Sequence, residues 1–149
     1  MYKRQLEEFE LPAVVIIKHN NPCGCAVGSS VEDAFEKALA TDPLSAFGGV
    51  MCFNRPIERG LAERLSSMFV ELVFAPSFEG DALEVLKQKP NLRLLEDRER
   101  RRPAVSEQDF KRVRGGVLIQ DRDLGSEARD EMHAVTERKP TEAEWGCLL

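Results

Sequence analysis

The 149-residue sequence lacks long apolar runs, signal-peptide features and a regular arrangement of cysteines. No apolar run approaches the roughly 18 residues of a membrane-spanning helix, so we expect no membrane contact. The net charge of −5 gives no reason to expect nucleic acid as a partner. Its four cysteines are too unevenly placed for a secreted disulfide framework. A reducing, cytoplasmic location is therefore favoured.

The remaining composition, 42% hydrophobic and 32% charged, is that of a globular protein of about one domain. Both ends of the sequence look unusual. Residues 1–5, MYKRQ, match what a common sequencing adapter would encode, so we expect the folded domain to occupy residues 6–149. The sequence also stops a few residues after a new helix begins. A natural start and stop is the alternative.

Alternating apolar strands and amphipathic helices predict an α/β fold with a parallel or mixed sheet. The first strand is a continuous β-branched run, which predicts burial on both faces. A polar turn over 20–30 should follow it, and Ser29 with Glu32 predicts a capping box. The charged run 97–102 is typical of a solvated loop. Predicted strands cover 13–17, 50–53, 72–75, 91–95 and 117–120, and predicted helices cover 29–41, 57–68, 79–89 and a segment opening with a Thr141–Glu144 capping box.

The segment KHNNPCGC, residues 18–25, allows three interpretations: a metal site, a redox pair or the edge of an enzyme pocket. His19, Cys23 and Cys25 could bind a metal, with Cys52 as a distant fourth ligand. Structural zinc sites, however, use C-x₂₋₄-C pairs and a second ligand pair, and neither is present. A redox C-x-x-C is also absent. The spacing therefore disfavours the first two interpretations.

The pocket interpretation rests on position, because Lys18 and His19 follow a buried strand and α/β sheets commonly bind ligands at strand ends. Histidine can take a proton near neutral pH, and lysine can stabilise developing negative charge. Gly24 and Gly28 could present backbone N–H groups to an anion at the following helix start. The alternative is a surface histidine beside a solvated lysine.

A second cluster, DPLSAFGGV at residues 42–50, can be a helix stop and tight turn. Alternatively, Gly48 and Gly49 let a flat ligand approach the backbone. Glu71 is the charged residue of the apolar stretch 68–75. It is either a solvent-facing strand residue or a pocket carboxylate that accepts hydrogen bonds from amino or amide groups.

Four blocks in order, IIKHNNPCG, DPLSAFGGV, FVELVFAPSFEGDALEVLKQKPNLRLL and RGGVLIQDRD, resemble one family from about Leu11 onward. It is the family of bifunctional purine-biosynthesis enzymes with a C-terminal AICAR transformylase and an N-terminal IMP cyclohydrolase. The resemblance implies a cytidine-deaminase-like three-layer unit with a mixed sheet, incomplete at the C-terminal end. The cyclohydrolase region is absent from the sequence.

The implied reaction is formyl transfer from 10-formyltetrahydrofolate, the co-substrate, to the amine of the ribonucleotide AICAR. Lys18 and His19 match the family's catalytic pair: the histidine assists deprotonation of the amine, and the lysine stabilises the transition state or protonates the departing folate nitrogen. No metal is implied, and Cys25 stands where the family commonly has a small apolar residue, so it is expected to be a packed thiol. Substrate-binding positions of the family fall on Phe47, Gly48 and Glu71, with weaker matches at Asn21 and Gly24.

The resemblance also implies a homodimer with sites at the subunit interface. Because the sequence ends before the segment with the family's catalytic asparagine, we expect this chain alone to be inactive and marginally stable. The competing hypothesis is a non-catalytic module that binds an anionic nucleotide at residues 24–30.

Overall fold

The computed structural model describes residue 6 and residues 9–97, 108–121, 125 and 128–148. The chain divides into two compact units, Met1–Arg102 and Pro103–Leu149. The sequence-based expectations for residues 1–5 and for residues 98–102 of the charged run lie outside the described residues.

The first unit is built on one five-stranded sheet with strands β1 (Ala13–Lys18), β2 (Asn21–Val27), β3 (Val50–Phe53), β4 (Leu72–Ala75) and β5 (Arg93–Glu96). The order across the sheet is β2-β1-β3-β4-β5. Strand β1 is antiparallel to both β2 and β3, whereas β3, β4 and β5 are parallel. The predicted α/β class with a mixed sheet is therefore confirmed.

The helices of this unit are α1 (Val31–Thr41), α2 (Pro43–Ala46), α3 (Arg59–Ser66) and α4 (Gly80–Leu86). Helices α1, α3 and α4 share one apolar core with Val14 and Ile16 of β1. The opposite face of the sheet carries a second cluster that includes Val15, Cys52 and Leu6. Because successive strand residues point to opposite faces, β1 is buried on both, as its sequence predicted. None of the helices described is long and apolar enough to cross a membrane.

The predicted turn over 20–30 is wrong, because most of it forms strand β2. Strand β2 pairs with β1 from Lys18↔Asn21 to Ala13↔Val27, with a bulge at Ile16/Ile17. Pro22 and Gly24 prevented the prediction of a strand here, because both residue types are rare in strand interiors. They are tolerated on the outer strands of a sheet and at bulges. Strand β2 lies at the edge of the sheet, and it supplies the hydrogen-bond partners that buried β1 needs on that side.

The start of α1 differs from the predicted capping box by one residue. Ser30 is the N-cap, and its hydroxyl accepts a hydrogen bond from the Asp33 N–H at 3.2 Å. The Asp33 carboxylate in turn accepts from the Ser29 N–H at 2.9 Å. The segment SSVED offers two overlapping Ser-x-x-acid pairs, and the sequence alone does not rank them. Helices α3 and α4 are also shorter than predicted, at their ends only.

The second unit contains β6 (Gln108–Val113), β7 (Gly116–Asp121), a short 3₁₀ helix (Arg129–Glu131) and α5 (Glu142–Leu148). Strand β7 and helix α5 were predicted, whereas β6 and the 3₁₀ helix were not. Strand β6 was missed because its sequence, QDFKRV, has no apolar alternation; it pairs antiparallel with β7. The capping box at α5 is confirmed, since the Glu144 carboxylate accepts from the Thr141 N–H at 2.8 Å and the Thr141 hydroxyl accepts from the Glu144 N–H at 3.3 Å.

Candidate active site

The sheet topology brings together three segments that are distant in sequence. They meet at one sheet edge, the edge formed by the ends of the strands and not by an outer strand. Because β1 is antiparallel to β3, its carboxyl end lies beside the amino ends of β3 and β4, with Ile17 opposite Val50 and Val50 opposite Leu72. Lys18 and His19 do lie at the end of a buried strand, as predicted. The edge is nevertheless the one where the parallel strands begin, and not the carboxyl edge that parallel sheets commonly use.

Two backbone carbonyls at this edge bind the ammonium group of Lys18. Its half-buried side chain donates from Nζ to the Phe47 carbonyl at 2.6 Å and to the Gly48 carbonyl at 3.1 Å. An ammonium group has three N–H donors, so one has no partner among the described residues. The arrangement can therefore offer a fixed positive charge and a hydrogen-bond donor to a ligand.

Helix α2 and the turn after it fix those two carbonyls. Asp42 caps α2: its carboxylate accepts from the Ser45 hydroxyl at 2.6 Å and from the Ser45 N–H at 2.9 Å. These hydrogen bonds lower the pKa of Asp42 below its usual value. Gly48 follows with φ +66°, a left-handed conformation that favours glycine, and its N–H donates to the Phe69 carbonyl at 2.9 Å.

His19 is exposed and lies in the two-residue turn between β1 and β2. Among the described non-glycine residues, His19 alone has a positive φ, +58°. A positive φ at the first turn position alone is the pattern of a type II′ hairpin turn, where glycine is usual. A left-handed conformation costs a non-glycine residue about 1–2 kcal/mol. Such an outlier motivates a functional hypothesis for the imidazole.

Glu71 lies directly before β4 at the same edge. Its N–H donates to the Gly49 carbonyl at 3.2 Å, and its carbonyl accepts from the Arg93 N–H at 3.0 Å. The side chain is exposed, so both a solvent-facing carboxylate and a pocket carboxylate fit this position. Asn21 is also exposed and stands opposite Lys18 at the start of β2.

Gly24 lies away from these residues, buried in β2 beneath α1. A Cβ atom at this position would come within 2.2 Å of the Ala38 carbonyl oxygen, which belongs to the helix backbone. The missing side chain is therefore what lets α1 pack against β2. The contact accounts for the glycine without a ligand.

Replacing Gly24 by alanine is expected to lower the free energy of unfolding by about 3 kcal/mol, because a backbone carbonyl cannot move aside as a side chain can. Gly60→Ala is the control: nothing lies within 4 Å of a Cβ there, and alanine favours the helix, so that variant should gain about 0.5–1 kcal/mol. Urea unfolding of both variants checks the prediction. Equal stabilities would show that α1 does not rest on Gly24.

The cysteines of the KHNNPCGC segment do not form a shared site. Cys23 packs against the helix-side core, whereas Cys25 pairs with Val15 and points to the other face. Cys25 is exposed, so the expectation of a packed thiol is wrong. Burial raises the pKa of Cys23, and it raises that of Cys52 to about 12, so both thiols stay protonated at neutral pH. Within the described parts of the chain, no group of His, Cys, Asp and Glu could hold a metal ion.

The turn before α1 is also poorly suited to an anion. The Asp33 carboxylate already accepts from the N–H and hydroxyl of Ser29, at 2.9 and 3.2 Å. A negative ligand would have to displace this carboxylate or approach it closely. The structure thus argues against the nucleotide-binding module proposed for residues 24–30.

Phe69 is a residue of this edge that the sequence analysis missed. Its ring centroid lies 5.1 Å from that of Phe47, and both rings are exposed. A cavity of about 320 Å³ lies beside Phe69, between residues 69–70 and 88–92. The aromatic residue two positions before Glu71 was the available signal, but the apolar stretch 68–75 gave no reason to single it out.

These features define a mixed-sheet α/β domain whose candidate site is a lysine held on backbone carbonyls at the start of the parallel strands. The family model described as the AICARFT/IMPCHase bienzyme matches residues 3–149. The chain therefore belongs to this family.

A curated relative is the bifunctional purine biosynthesis protein PurH of Staphylococcus carnosus (strain TM300), which is 48% identical over 142 residues. The match covers 95% of this chain, but the chain spans only 28% of the relative's length. Solved structures similar to the chain include the apo dCMP deaminase of cyanophage S-TIM5, at 13% identity and TM-score 0.47, covering 58% of this chain and 79% of that one. Acinetobacter baumannii RibD, form 1, has 18% identity and TM-score 0.47, covering 62% of this chain and 31% of that one.

Proposed function

We propose that this chain supplies part of an AICAR transformylase site, which transfers a formyl group from 10-formyltetrahydrofolate to AICAR in purine biosynthesis. One observation carries the proposal: Lys18, Gly48 and Glu71, from three separate sequence blocks, meet at one sheet edge. Membership of the AICARFT/IMPCHase family and the PurH relative support the same pathway.

The residues suit the chemistry of the transfer. The AICAR amine attacks the formyl carbon, and its proton passes to the His19 imidazole, which acts as the general base. The carbonyl oxygen becomes negatively charged, and the remaining N–H of Lys18 can donate to it. The C–N bond to the folate then breaks, and the departing nitrogen takes a proton, giving formyl-AICAR and tetrahydrofolate.

The neighbouring residues suit recognition of a flat, amide-bearing ring. The exposed Phe47 side chain can stack on the imidazole ring of AICAR, next to the turn at Gly48. Glu71 can accept hydrogen bonds from the carboxamide and amine of AICAR. Asn21 can shape the hairpin that carries His19.

The proposal includes segments that this chain does not contribute, since the chain spans 28% of its relative. The folate site and the rest of the AICAR site would come from the remainder of a cytoplasmic, homodimeric bienzyme, without a metal. The 149-residue chain alone is therefore expected to show no formyl transfer.

A hybrid protein tests the proposal: this chain replaces the matching segment of the S. carnosus relative. The hybrid should form formyl-AICAR at a rate within about tenfold of the intact relative, because the sheet edge supplies equivalent groups. Its IMP cyclohydrolase activity serves as the internal control for folding. Retained cyclohydrolase activity without any formyl transfer would refute the proposal.

A further inference from the structure

We propose that Phe69 is a positioning residue of this site: it holds the turn 47–49 in the conformation that directs two carbonyls at the Lys18 ammonium. The catalytic part of this inference, the effect of Phe69 on formyl transfer, rests on the proposed function. Its structural part, the dependence of Lys18 on Phe69, can be tested without any activity.

Phe69 contacts the turn through both its backbone and its ring. Its carbonyl accepts from the Gly48 N–H at 2.9 Å, which ties the turn to the residue before β4. Its ring lies against the open side of Gly48: a Cβ atom there would come within 2.9 Å of the ring carbon Cε1 and 3.3 Å of Lys18 Nζ. Phe69 and the lysine thus border the same glycine.

The ring also fixes Phe47, the other residue whose carbonyl binds Lys18. The two ring centroids are 5.1 Å apart with an angle of 41° between the planes, within the range of favourable aromatic pairs. Phe47 is 63% exposed, so the Phe69 ring is a contact on a side chain that otherwise faces mostly solvent. Losing the Phe69 ring would free the Phe47 side chain and the peptide that follows it.

Phe69 is not a core residue in the way that Phe35 and Phe53 are. It is 47% exposed, whereas Phe35 and Phe53 are buried at 0% and 1%. On another side Phe69 borders the cavity lined by residues such as Lys89, Pro90 and Leu92. Its truncation should therefore leave the core intact and alter the turn.

The first test measures the acylation rate of each lysine in the folded 149-residue chain by mass spectrometry. With the turn released, Lys18 loses its fixed acceptors, so Phe69→Ala should raise the Lys18 rate about fivefold. Lys37, which pairs with Asp33 on α1, should not change in any variant. Phe78→Ala is the matched control, because Phe78 packs on the core away from the turn, and it should leave the Lys18 rate unchanged.

A double-mutant comparison tests the ring contact itself. Gly48→Ala introduces a methyl group against the ring and also strains the left-handed turn, so it should raise the Lys18 rate in both backgrounds. The increase should be at least about threefold smaller in the Phe69→Ala background, where the ring contact is gone. Equal effects in both backgrounds would overturn the inference, as would an unchanged Lys18 rate in Phe69→Ala. If Phe69→Ala fails to fold, Phe69→Leu takes its place, since it keeps apolar volume but removes the ring.

The catalytic part is measured in the hybrid protein. Phe69→Ala should lower kcat for formyl transfer about tenfold and raise KM for AICAR, whereas Phe78→Ala should change neither. Unchanged kinetics in an active Phe69→Ala hybrid would overturn the catalytic part. An inactive parent hybrid would instead refute the proposed function, and the lysine labelling would still decide the inference.

Discussion

Replacing Lys18 by methionine is expected to lower kcat for formyl transfer by the hybrid about 10²–10³-fold, the usual cost of removing one donor to a developing oxyanion. Methionine keeps most of the apolar stem but cannot donate to the carbonyls of Phe47 and Gly48, which hold the ammonium at 2.6 and 3.1 Å. Steady-state kinetics with AICAR and 10-formyltetrahydrofolate check the result.

Two further variants separate position from charge. Lys37→Met removes an equal charge from the exposed side of α1, where Lys37 pairs with Asp33 at 2.8 Å, and should leave kcat unchanged. Lys18→Arg keeps the charge, but its planar fork does not match two carbonyls spaced for an ammonium, so it should restore little activity. A full kcat in Lys18→Met would remove Lys18 from the mechanism.

Replacing His19 by asparagine is expected to lower kcat about 10²–10⁴-fold, the usual contribution of a positioned general base. The fold should not suffer, because asparagine tolerates a positive φ better than histidine does. His19→Gly should likewise lose activity, and it should gain about 0.5–1 kcal/mol in free energy of unfolding by relieving the left-handed strain at φ +58°.

The two measurements together distinguish a catalytic histidine from a structural one. Urea unfolding of the 149-residue chain gives the stability of His19→Asn and His19→Gly, and the hybrid gives their rates. His19→Ala keeps the strain and removes the base, so it should lose activity without gaining stability. Variants that lose stability but keep formyl transfer would show that His19 serves the hairpin alone.

The strands that could be predicted are those with a dense apolar pattern. The β-branched run at 13–17 favours a strand buried on both faces, and β4 was predicted at its observed bounds, Leu72–Ala75. Strands β2 and β6 were missed, because Pro22 and Gly24 in one and charged residues in the other hide the pattern. These strands are stabilised by pairing with a neighbouring strand, and the propensities of their own residues do not reveal that pairing.

The candidate site was predictable as a set of residues but not as a geometry. The resemblance to the family identified four site residues in separate sequence blocks: Lys18, His19, Gly48 and Glu71. Which sheet edge they share depends on β1 being antiparallel to β3, and the sequence does not encode strand direction locally. The left-handed turn at His19 also had no signal, because glycine, not histidine, marks such positions.

The proposed AICAR site lies where β1 ends and β3 and β4 begin. Hydrogen–deuterium exchange of the hybrid, with and without saturating AICAR, tests this location. We predict slower exchange in peptides covering residues 18–21, 47–49 and 69–71, and unchanged exchange in α4, which lies in the helix-side core. Unchanged exchange at all three segments, in a hybrid that binds AICAR, would contradict the claim.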